Sequence, residues 1–311
     1  MITRKHYEWR LKSRTFLLGE RTLLMGALPL SPDAPGGGPY ADLDRAVARA
    51  IELEELGAGI IELIPEEARP NAKIISDAEE IRRVIPLVKR LRDHINVPIA
   101  LQSWKTAVVE KALSLGVEVI HDISGLSWNP DLAKLIVQAD AGLILNHLRG
   151  TPDAWTTPVS VKDIVEQTAT GLMAAAHRAN RANIDRKRVI VDAGIGLAKR
   201  REHNLELVSR LPSLAQVGLP LMIGTSHHPF LARPEEMESD ISRAGALTAA
   251  ILGGAHVARL EDLETMKPAV LLADALLSAR PFVTPEPIAP TRRADAEERE
   301  SRPRVRPPLR G

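Results

Sequence analysis

The stretch "LLMGALPLSPDAPGGG", residues 23–38, changes character halfway along its length. Its first eight residues are almost wholly apolar, whereas the next eight contain two prolines, an aspartate and three consecutive glycines. A continuous apolar run without polar alternation is typical of a strand in a parallel sheet that is covered by helices. The stretch therefore predicts a buried strand that ends in an irregular loop.

The same pattern recurs along the chain. Amphipathic segments typical of helices, such as 41–56, 77–95 and 161–180, separate the apolar runs. The seven further runs are 59–64, 98–103, 119–123, 142–148, 189–194, 219–226 and 256–262. Eight strand–helix alternations predict an α/β fold, a (β/α)8 TIM barrel. A doubly wound open sheet is the alternative, although it usually has fewer strands.

The two ends of the chain differ from this repeating part. "FLLGERTLL" (16–24) predicts a hairpin at about 14–24 that turns at Gly19-Glu20 and closes the bottom of the barrel. From residue 281 the chain is rich in proline and charge and nearly lacks apolar residues, which predicts a disordered tail. The predicted organisation is a barrel domain at 1–280 and a tail at 281–311.

Composition restricts the cellular setting. The chain has no cysteine, which excludes disulfides and thiolate metal sites and favours a reducing cytoplasm. No apolar run approaches the ~20 residues that span a bilayer. The net charge is +1, and residues 290–311 hold seven arginines against four acidic residues, so the body of the protein is slightly acidic. We therefore expect a cytoplasmic protein that binds neither membranes nor nucleic acid.

The ends of the predicted strands indicate where a ligand binds. In a TIM barrel the functional residues lie where the strands end and the following loops begin, and polar residues or glycine lie at or just past the end of all eight runs. Asp192, in "DAGIGLAK", is a candidate acceptor for a ligand; the alternative is a helix N-cap, but the two glycines indicate close approach of the backbone. Eight such ends predict a mouth lined by ligand-binding groups.

Motifs at these strand ends, in unbroken order from about Phe16 to Ala279, resemble those of the dihydropteroate synthases. "GAGIIELIPEEARP" is similar to G-A-D-[IV]-[IV]-D-[IV]-G-G-E-S-T-R-P, "EVIHDISG" to D-I-I-N-D-[IV]-S-G, and "LILNHLRGTP" to L-[VM]-x-M-H-x-x-G-x-P. The resemblance implies a TIM barrel and a transferase of folate biosynthesis. That reaction condenses 6-hydroxymethyl-7,8-dihydropterin diphosphate with p-aminobenzoate and releases diphosphate. A homodimer is also implied, with the helix at 263–278 as a candidate interface.

The resemblance also implies a set of site residues. Three match family positions that are assigned as catalytic: Asp33 in the first loop, Arg69 in the second loop, and Arg259, which faces the leaving diphosphate. Five match positions that bind the substrates: Gln102, His121, Asp192, Ser226 and His228.

Several of these positions depart from the family pattern. Gln102, His121 and His228 replace an aspartate, an asparagine and a lysine, and Glu261 replaces the histidine beside Arg259. The resemblance implies a magnesium ion with the diphosphate, but Pro29 replaces an asparagine that helps to hold it, so magnesium is doubtful and we assign no metal ligand. The active site is therefore predicted to be degenerate.

Some alternatives stay open at the level of sequence. The chain is either such a transferase or a catalytically inactive or repurposed homologue that binds a pterin-like or other small ligand. A folate-dependent methyltransferase domain is a third reading, and the lack of a visible cobalamin module disfavours it. Arg259 either binds an anion or pairs with Glu261 or Asp262. His121 either forms a hydrogen bond to Gln102 in the pocket or is a satisfied core histidine.

Overall fold

The computed structural model describes residues 4–34, 38–68, 74–148, 150, 161–197, 199–224 and 239–279. The chain divides into two units, Met1–Ser278 and Ala279–Gly311. The predicted tail at 281–311 lies outside the described residues, so its disorder stays a prediction. Within the described residues, no helix is long and apolar enough to cross a membrane.

Eight parallel strands close into a barrel, which confirms the predicted fold class. Each strand pairs with the next along the chain, and Val257 of the last strand lies opposite Leu23 of the first. This closing pair excludes the open sheet. The barrel strands are β3 (Leu23–Pro29), β4 (Ile60–Ile64), β5 (Ile99–Gln102), β6 (Val119–Asp122), β7 (Gly142–Asn146), β8 (Val189–Asp192), β9 (Leu221–Gly224) and β10 (Val257–Leu260).

Helices follow the barrel strands and cover their outer face. Side-chain caps begin several of them: Asp42, Ser76 and Asp163 each accept a backbone N–H from the first turn of the helix that follows. The helix after β4 runs through Pro86 without interruption. The helices are α1 (Leu43–Glu55), α2 (Asp77–Leu91), α3 (Thr106–Ser114), α4 (Leu132–Ala139), α5 (Ile164–Arg181), α6 (Arg201–Ser209), α7 (Asp240–Leu252) and α8 (Leu263–Ser278).

The N-terminal hairpin differs from its prediction. It consists of β1 (Tyr7–Arg10) and β2 (Thr15–Leu18), with Tyr7 opposite Leu18, so the predicted hairpin at about 14–24 is wrong. Gly19-Glu20 lies in the connection to β3 rather than at the hairpin turn. The first strand was not predicted because it lies in a charged segment, where only Tyr7 and Trp9 alternate with polar residues. The hairpin does close the bottom of the barrel, because Trp9 is fully buried against the interior side chains.

The barrel interior is built in layers by the alternation of side chains along each strand. An apolar layer, with one residue from each strand, packs on the hairpin: Met25, Ile60, Ala100, Val119, Ile144, Ile190, Met222 and Val257. The side chains two residues further along each strand again point into the barrel. This second layer, called the polar layer below, contains Ala27, Glu62, Gln102, His121, Asn146, Asp192, Gly224 and Arg259. The change from apolar to polar side chains therefore occurs at this layer on six of the eight strands; Ala27 and Gly224 occupy the other two positions.

Candidate active site

A cavity lies above the polar layer at the carboxyl ends of the strands, where a TIM barrel binds its ligands. Polar-layer side chains form its lower wall, and residues of the loops that follow the strands form the rest. The described lining residues are Pro29, Ile64, Glu67, Ala68, Gln102, His121, Asn146, Asp192, Gly194, Ile195, Leu197, Gly224, Arg259 and Glu261.

Glu62 lies at the centre of the polar layer, and the sequence analysis did not identify it. Its side chain is fully buried; Oε1 is 2.6 Å from Nδ1 of His121, and Oε2 accepts a hydrogen bond from Nε of Arg259. Burial opposes ionisation, but the charge of Arg259 and the hydrogen bonds from His121 and Arg259 outweigh it and lower the pKa of Glu62 to about 2. The signal in the sequence was one acidic residue within the apolar run "IIELI", since a buried carboxylate is costly unless it is paired.

Arg259 reaches the cavity, as its predicted role requires. Arg259 forms an ion pair with Glu62, whereas Glu261 or Asp262 had been predicted as its partner if its role were structural. Nη2 also donates to Oε1 of Gln102 at 3.3 Å. Burial would lower the pKa of Arg259, but the nearby carboxylates, Glu62 foremost, raise it above its ordinary value. The guanidinium is therefore a permanent positive charge in the wall of the cavity.

Gln102 and His121 are neighbours across β5 and β6 and both line the cavity. The hydrogen bond considered between them is not formed, because each has other partners. Nε2 of Gln102 donates to the carbonyl of Glu66 at 3.3 Å. His121 binds Glu62 through Nδ1, and its Nε2 lies 3.5 Å from Nδ2 of Asn146. The pairing register of β5 and β6 places Gln102 beside His121, whereas the contact with Glu62 determines the orientation of the histidine ring.

Asp192 is buried in the cavity wall with 5% of its surface exposed. Its Oδ1 accepts the backbone N–H of Gly194 at 2.7 Å, so one oxygen holds the turn that follows β8. Burial raises the pKa of Asp192 above the ordinary value for aspartate, although His121 and the Gly194 hydrogen bond act in the opposite direction. One oxygen of Asp192 thus stabilises the turn, and the side chain also lies in the wall of the cavity, where a ligand can bind to it.

The turn after Asp192 depends on glycine. Gly194 has φ +66°, and a Cβ atom there would lie 2.2 Å from the carbonyl oxygen of His147. Nζ of Lys199 donates to the carbonyls of Gly194 and His147, at 2.7 and 3.0 Å, and joins the loops after β7 and β8. This close approach explains the glycine in "DAGIGLAK" and fixes Asp192 against the cavity.

The remaining predicted site residues are distributed differently. Asp33 is exposed in the loop after β3, where its backbone N–H donates to Oγ of Ser31 at 3.2 Å, and it is not among the described lining residues. Arg69, Ser226 and His228 lie outside the described residues. Four predicted residues therefore meet at the cavity: Gln102, His121, Asp192 and Arg259.

Glu66, in the loop that follows β4, forms a buried ion pair. It is buried, its Oε2 lies 2.7 Å from Nζ of Lys105, and it accepts the backbone N–H of Ile75 at 2.9 Å. Lys105 also pairs with buried Glu80 at 2.7 Å. Through Glu66 and Ile75, this cluster joins the loop after β4 to the residues that lead into α2.

The prediction for magnesium, which was made from Pro29, stays a prediction. Pro29, in the wall, has no side-chain oxygen. Across the residues that the structure describes, no three His, Asp or Glu side chains converge as metal ligands.

Comparison with protein families gives a match over most of the barrel. A family model described as "Pterin binding enzyme" matches residues 25–261. The chain is 32% identical to a dihydropteroate synthase of Synechocystis sp. over 263 residues, which is 83% of this chain and 91% of that protein. It is 31% identical to the dihydropteroate synthase of Bacillus subtilis, over 83% of this chain and 90% of that protein.

Solved structures agree with the sequence relatives. The dihydropteroate synthase of Yersinia pestis, in complex with a sulfonamide drug, superposes with a TM-score of 0.80 at 26% identity, covering 88% of this chain and all of that one. The Xanthomonas albilineans dihydropteroate synthase with 4-aminobenzoic acid gives a TM-score of 0.79 at 25% identity, covering 89% of this chain and all of that one. The likeness extends over the whole barrel.

Proposed function

We propose that this chain, which belongs to the pterin-binding enzyme family, is a dihydropteroate synthase-type transferase. It would condense 6-hydroxymethyl-7,8-dihydropterin diphosphate with p-aminobenzoate. The observation that carries the proposal is the buried carboxylate of Asp192 in the wall of a cavity at the carboxyl ends of the strands. A carboxylate there accepts two parallel N–H donors from the amidine-like edge of a pterin.

The charges around the cavity suit the proposed reaction. The bond between the 6-methylene carbon and the diphosphate oxygen breaks, and both electrons leave with the diphosphate. The amine nitrogen then attacks the resulting pterin cation and loses a proton. Asp192, Glu67 and Glu261 would stabilise the positive charge on the ring, and Arg259 faces the leaving anion. The protein contributes positioning and electrostatics, and no step is assigned to a metal ion.

The test measures both products with the full chain. The wild type should release diphosphate and form dihydropteroate when both substrates are present, and not when p-aminobenzoate is omitted. Asp192→Asn keeps the shape of the side chain but removes its charge, so kcat/KM should fall on the order of 100-fold. Exposed Asp131, which makes no capping hydrogen bond at the start of α4, gives the matched control Asp131→Asn.

A second candidate function has a specific observation in its favour. The guanidinium of Arg259 is already paired with Glu62, and Glu67 and Glu261 add negative charge to the cavity. Such a cavity suits a pterin-like ring that carries no diphosphate, as in a repurposed binding protein. No product at high enzyme concentration, together with calorimetric binding of 6-hydroxymethyl-dihydropterin, would favour this candidate over the transferase.

We extend the proposal to a homodimer formed through α8. This helix exposes Leu271, Leu272 and Leu276, which are 57%, 56% and 46% exposed, and adjacent large apolar groups on a surface indicate an interaction site. Leu272→Glu should convert the dimer to a monomer in light scattering. Leu17→Glu, at a 79% exposed position on β2, is the control and should leave the mass unchanged. A wild-type monomer at all concentrations would contradict this extension.

The cytoplasm is the compartment we propose for this reaction. The absence of cysteine supports it, since a chain without thiols gains nothing from an oxidising compartment. Fractionation of the native cells with an antibody to the chain tests the assignment.

A further inference from the structure

We propose that Glu62 is a positioning residue that orients Arg259 and His121 toward the ligand. The inference rests on the proposed function in one respect, that the ligand of Arg259 is the diphosphate group. It concerns a residue that belongs to none of the predicted site positions.

The position of Glu62 in the barrel allows it to serve both partners. β4 is separated from β10 by β3 and from β6 by β5, so neither partner lies on an adjacent strand. The carboxylate reaches across the interior in both directions, with Oε2 on Arg259 and Oε1 on His121. Both oxygens are therefore engaged by side chains that line the cavity, whereas Glu62 itself is fully buried below them.

The contact with Arg259 determines which edge of the guanidinium faces the cavity. Glu62 takes the Nε hydrogen, and Gln102 takes one hydrogen of Nη2. Among the described residues no acceptor binds Nη1 of Arg259. An arginine carries five N–H donors in a fixed fork, so pairing at Nε leaves terminal donors for an anion above the polar layer. The buried carboxylate thus holds the arginine without using up its capacity to bind diphosphate.

The contact with His121 determines the position of a proton. An ionised carboxylate only accepts hydrogen bonds, so Nδ1 of His121 must carry a hydrogen toward Glu62. Its Nε2 then faces Asn146 and the cavity. The second nitrogen of a histidine is set by the hydrogen bond that the first one makes. Glu62 therefore fixes both the ring orientation and the tautomer that a ligand meets.

The test variant is Glu62→Gln, which keeps the size of the side chain but removes its charge. Two readouts are independent of catalysis: ¹⁵N chemical shifts of the His121 imidazole, and calorimetric affinity for inorganic diphosphate alone. We expect the His121 nitrogens to shift toward a mixture of tautomers and the affinity for inorganic diphosphate to fall at least tenfold. A purely structural role would lower thermal stability but move neither readout in the folded protein.

Glu80→Gln is the matched control, since Glu80 is also a buried glutamate paired with one cation, Lys105, and it does not line the cavity. It should leave both readouts at wild-type values. If Glu62→Gln fails to fold, Glu62→Asp replaces it, because the shorter carboxylate keeps the charge but cannot span both partners. Glu62→Asp should then change at least one readout.

The outcomes separate this inference from the proposed function. Unchanged His121 shifts and unchanged diphosphate affinity in the folded Glu62 variants would overturn it. A wild-type chain that does not bind inorganic diphosphate would overturn the part that concerns Arg259. If the wild type binds diphosphate, the Glu62 variants lose that binding and the assay yields no dihydropteroate, then the transferase proposal fails while the role of Glu62 stands.

Discussion

The two ends of the barrel both contain buried polar side chains, but they use them differently. At the bottom, Arg4 donates to the carbonyls of Gly19 and Ala255, to Oγ1 of Thr22 and to Asp274, at 2.7–3.1 Å. These contacts join the N-terminal segment to β3, β10 and α8. At the mouth, His121 and Arg259 each bind the buried carboxylate of Glu62, and both line a cavity.

The difference shows how the same strand geometry serves stability at one end and binding at the other. Polar groups at the bottom are matched to backbone and side-chain partners that hold the chain together. Those at the mouth keep part of their hydrogen-bonding capacity for a ligand. Changes at the bottom should therefore affect the free energy of unfolding, and changes at the mouth should affect binding and rate.

The largest effect is expected from Trp9→Ala at the bottom. Trp9 is fully buried, packs on the apolar layer and donates from Nε1 to the carbonyl of Arg188 at 3.0 Å. Removing it should lower the free energy of unfolding by about 3–5 kcal/mol, as measured by urea denaturation. Trp9→Phe, which loses the hydrogen bond and part of the volume, should cost less. If the ligand affinity of Trp9→Ala fell in proportion to its stability, the proposed division of roles between the two ends of the barrel would be wrong.

His256, also at the bottom, should make stability depend on pH. Nδ1 accepts the backbone N–H of Leu221 at 3.2 Å, and Nε2 lies 2.9 Å from the carbonyl oxygen of Lys5. Burial lowers the pKa of His256 from 6.5 to about 4. Between these values the unfolded chain binds more protons than the folded one, so stability should decrease as the pH falls from 6.5 to 4. The loss should reach at most about 3 kcal/mol.

The measurement for His256 is urea denaturation at several pH values, compared with His256→Gln. The variant lacks the titrating group, so its stability should change less over this pH range, even if it is lower at pH 7. Parallel curves for the two proteins would contradict the prediction.

The smallest effect concerns Asp192 at the mouth. Burial raises the pKa of its carboxyl, so protonation should begin at a higher pH than for an ordinary aspartate. A protonated carboxyl no longer accepts two N–H donors, and the affinity for 6-hydroxymethyl-dihydropterin should fall on acidification. Calorimetry from pH 8 to pH 5 tests this, with Asp192→Asn as the variant that should lack this pH dependence. A dependence retained in Asp192→Asn would assign it to another group.

The barrel was predictable from the sequence because its strands are buried on both faces. Eight apolar runs separated by helical segments correspond to the eight strands, with ends that differ by one or two residues. The hairpin was not predictable in the same way, because Tyr7 and Trp9 lie in a charged segment whose alternation covers only four residues. A short, half-exposed strand has a weak pattern and depends on what it packs against.

The candidate site was predictable only in part. Asp192, Arg259, Gln102 and His121 were identified from strand ends and family motifs, and they do meet at one cavity. Glu62 was missed because its partners are 59 and 197 residues away along the chain. Asp33 was identified by its motif, but in the described loop it is exposed.

The sequence by itself determined the order of strands and helices, the apolar interior and the polar ends of the strands. Local apolar runs and their polar ends are sufficient for that, since burial depends on side-chain type. Only the tertiary structure decided that Glu62 joins Arg259 to His121 and that six polar side chains from six strands lie together above the apolar layer. Those facts depend on the register of eight strands around a closed barrel, which brings together residues that no local pattern connects.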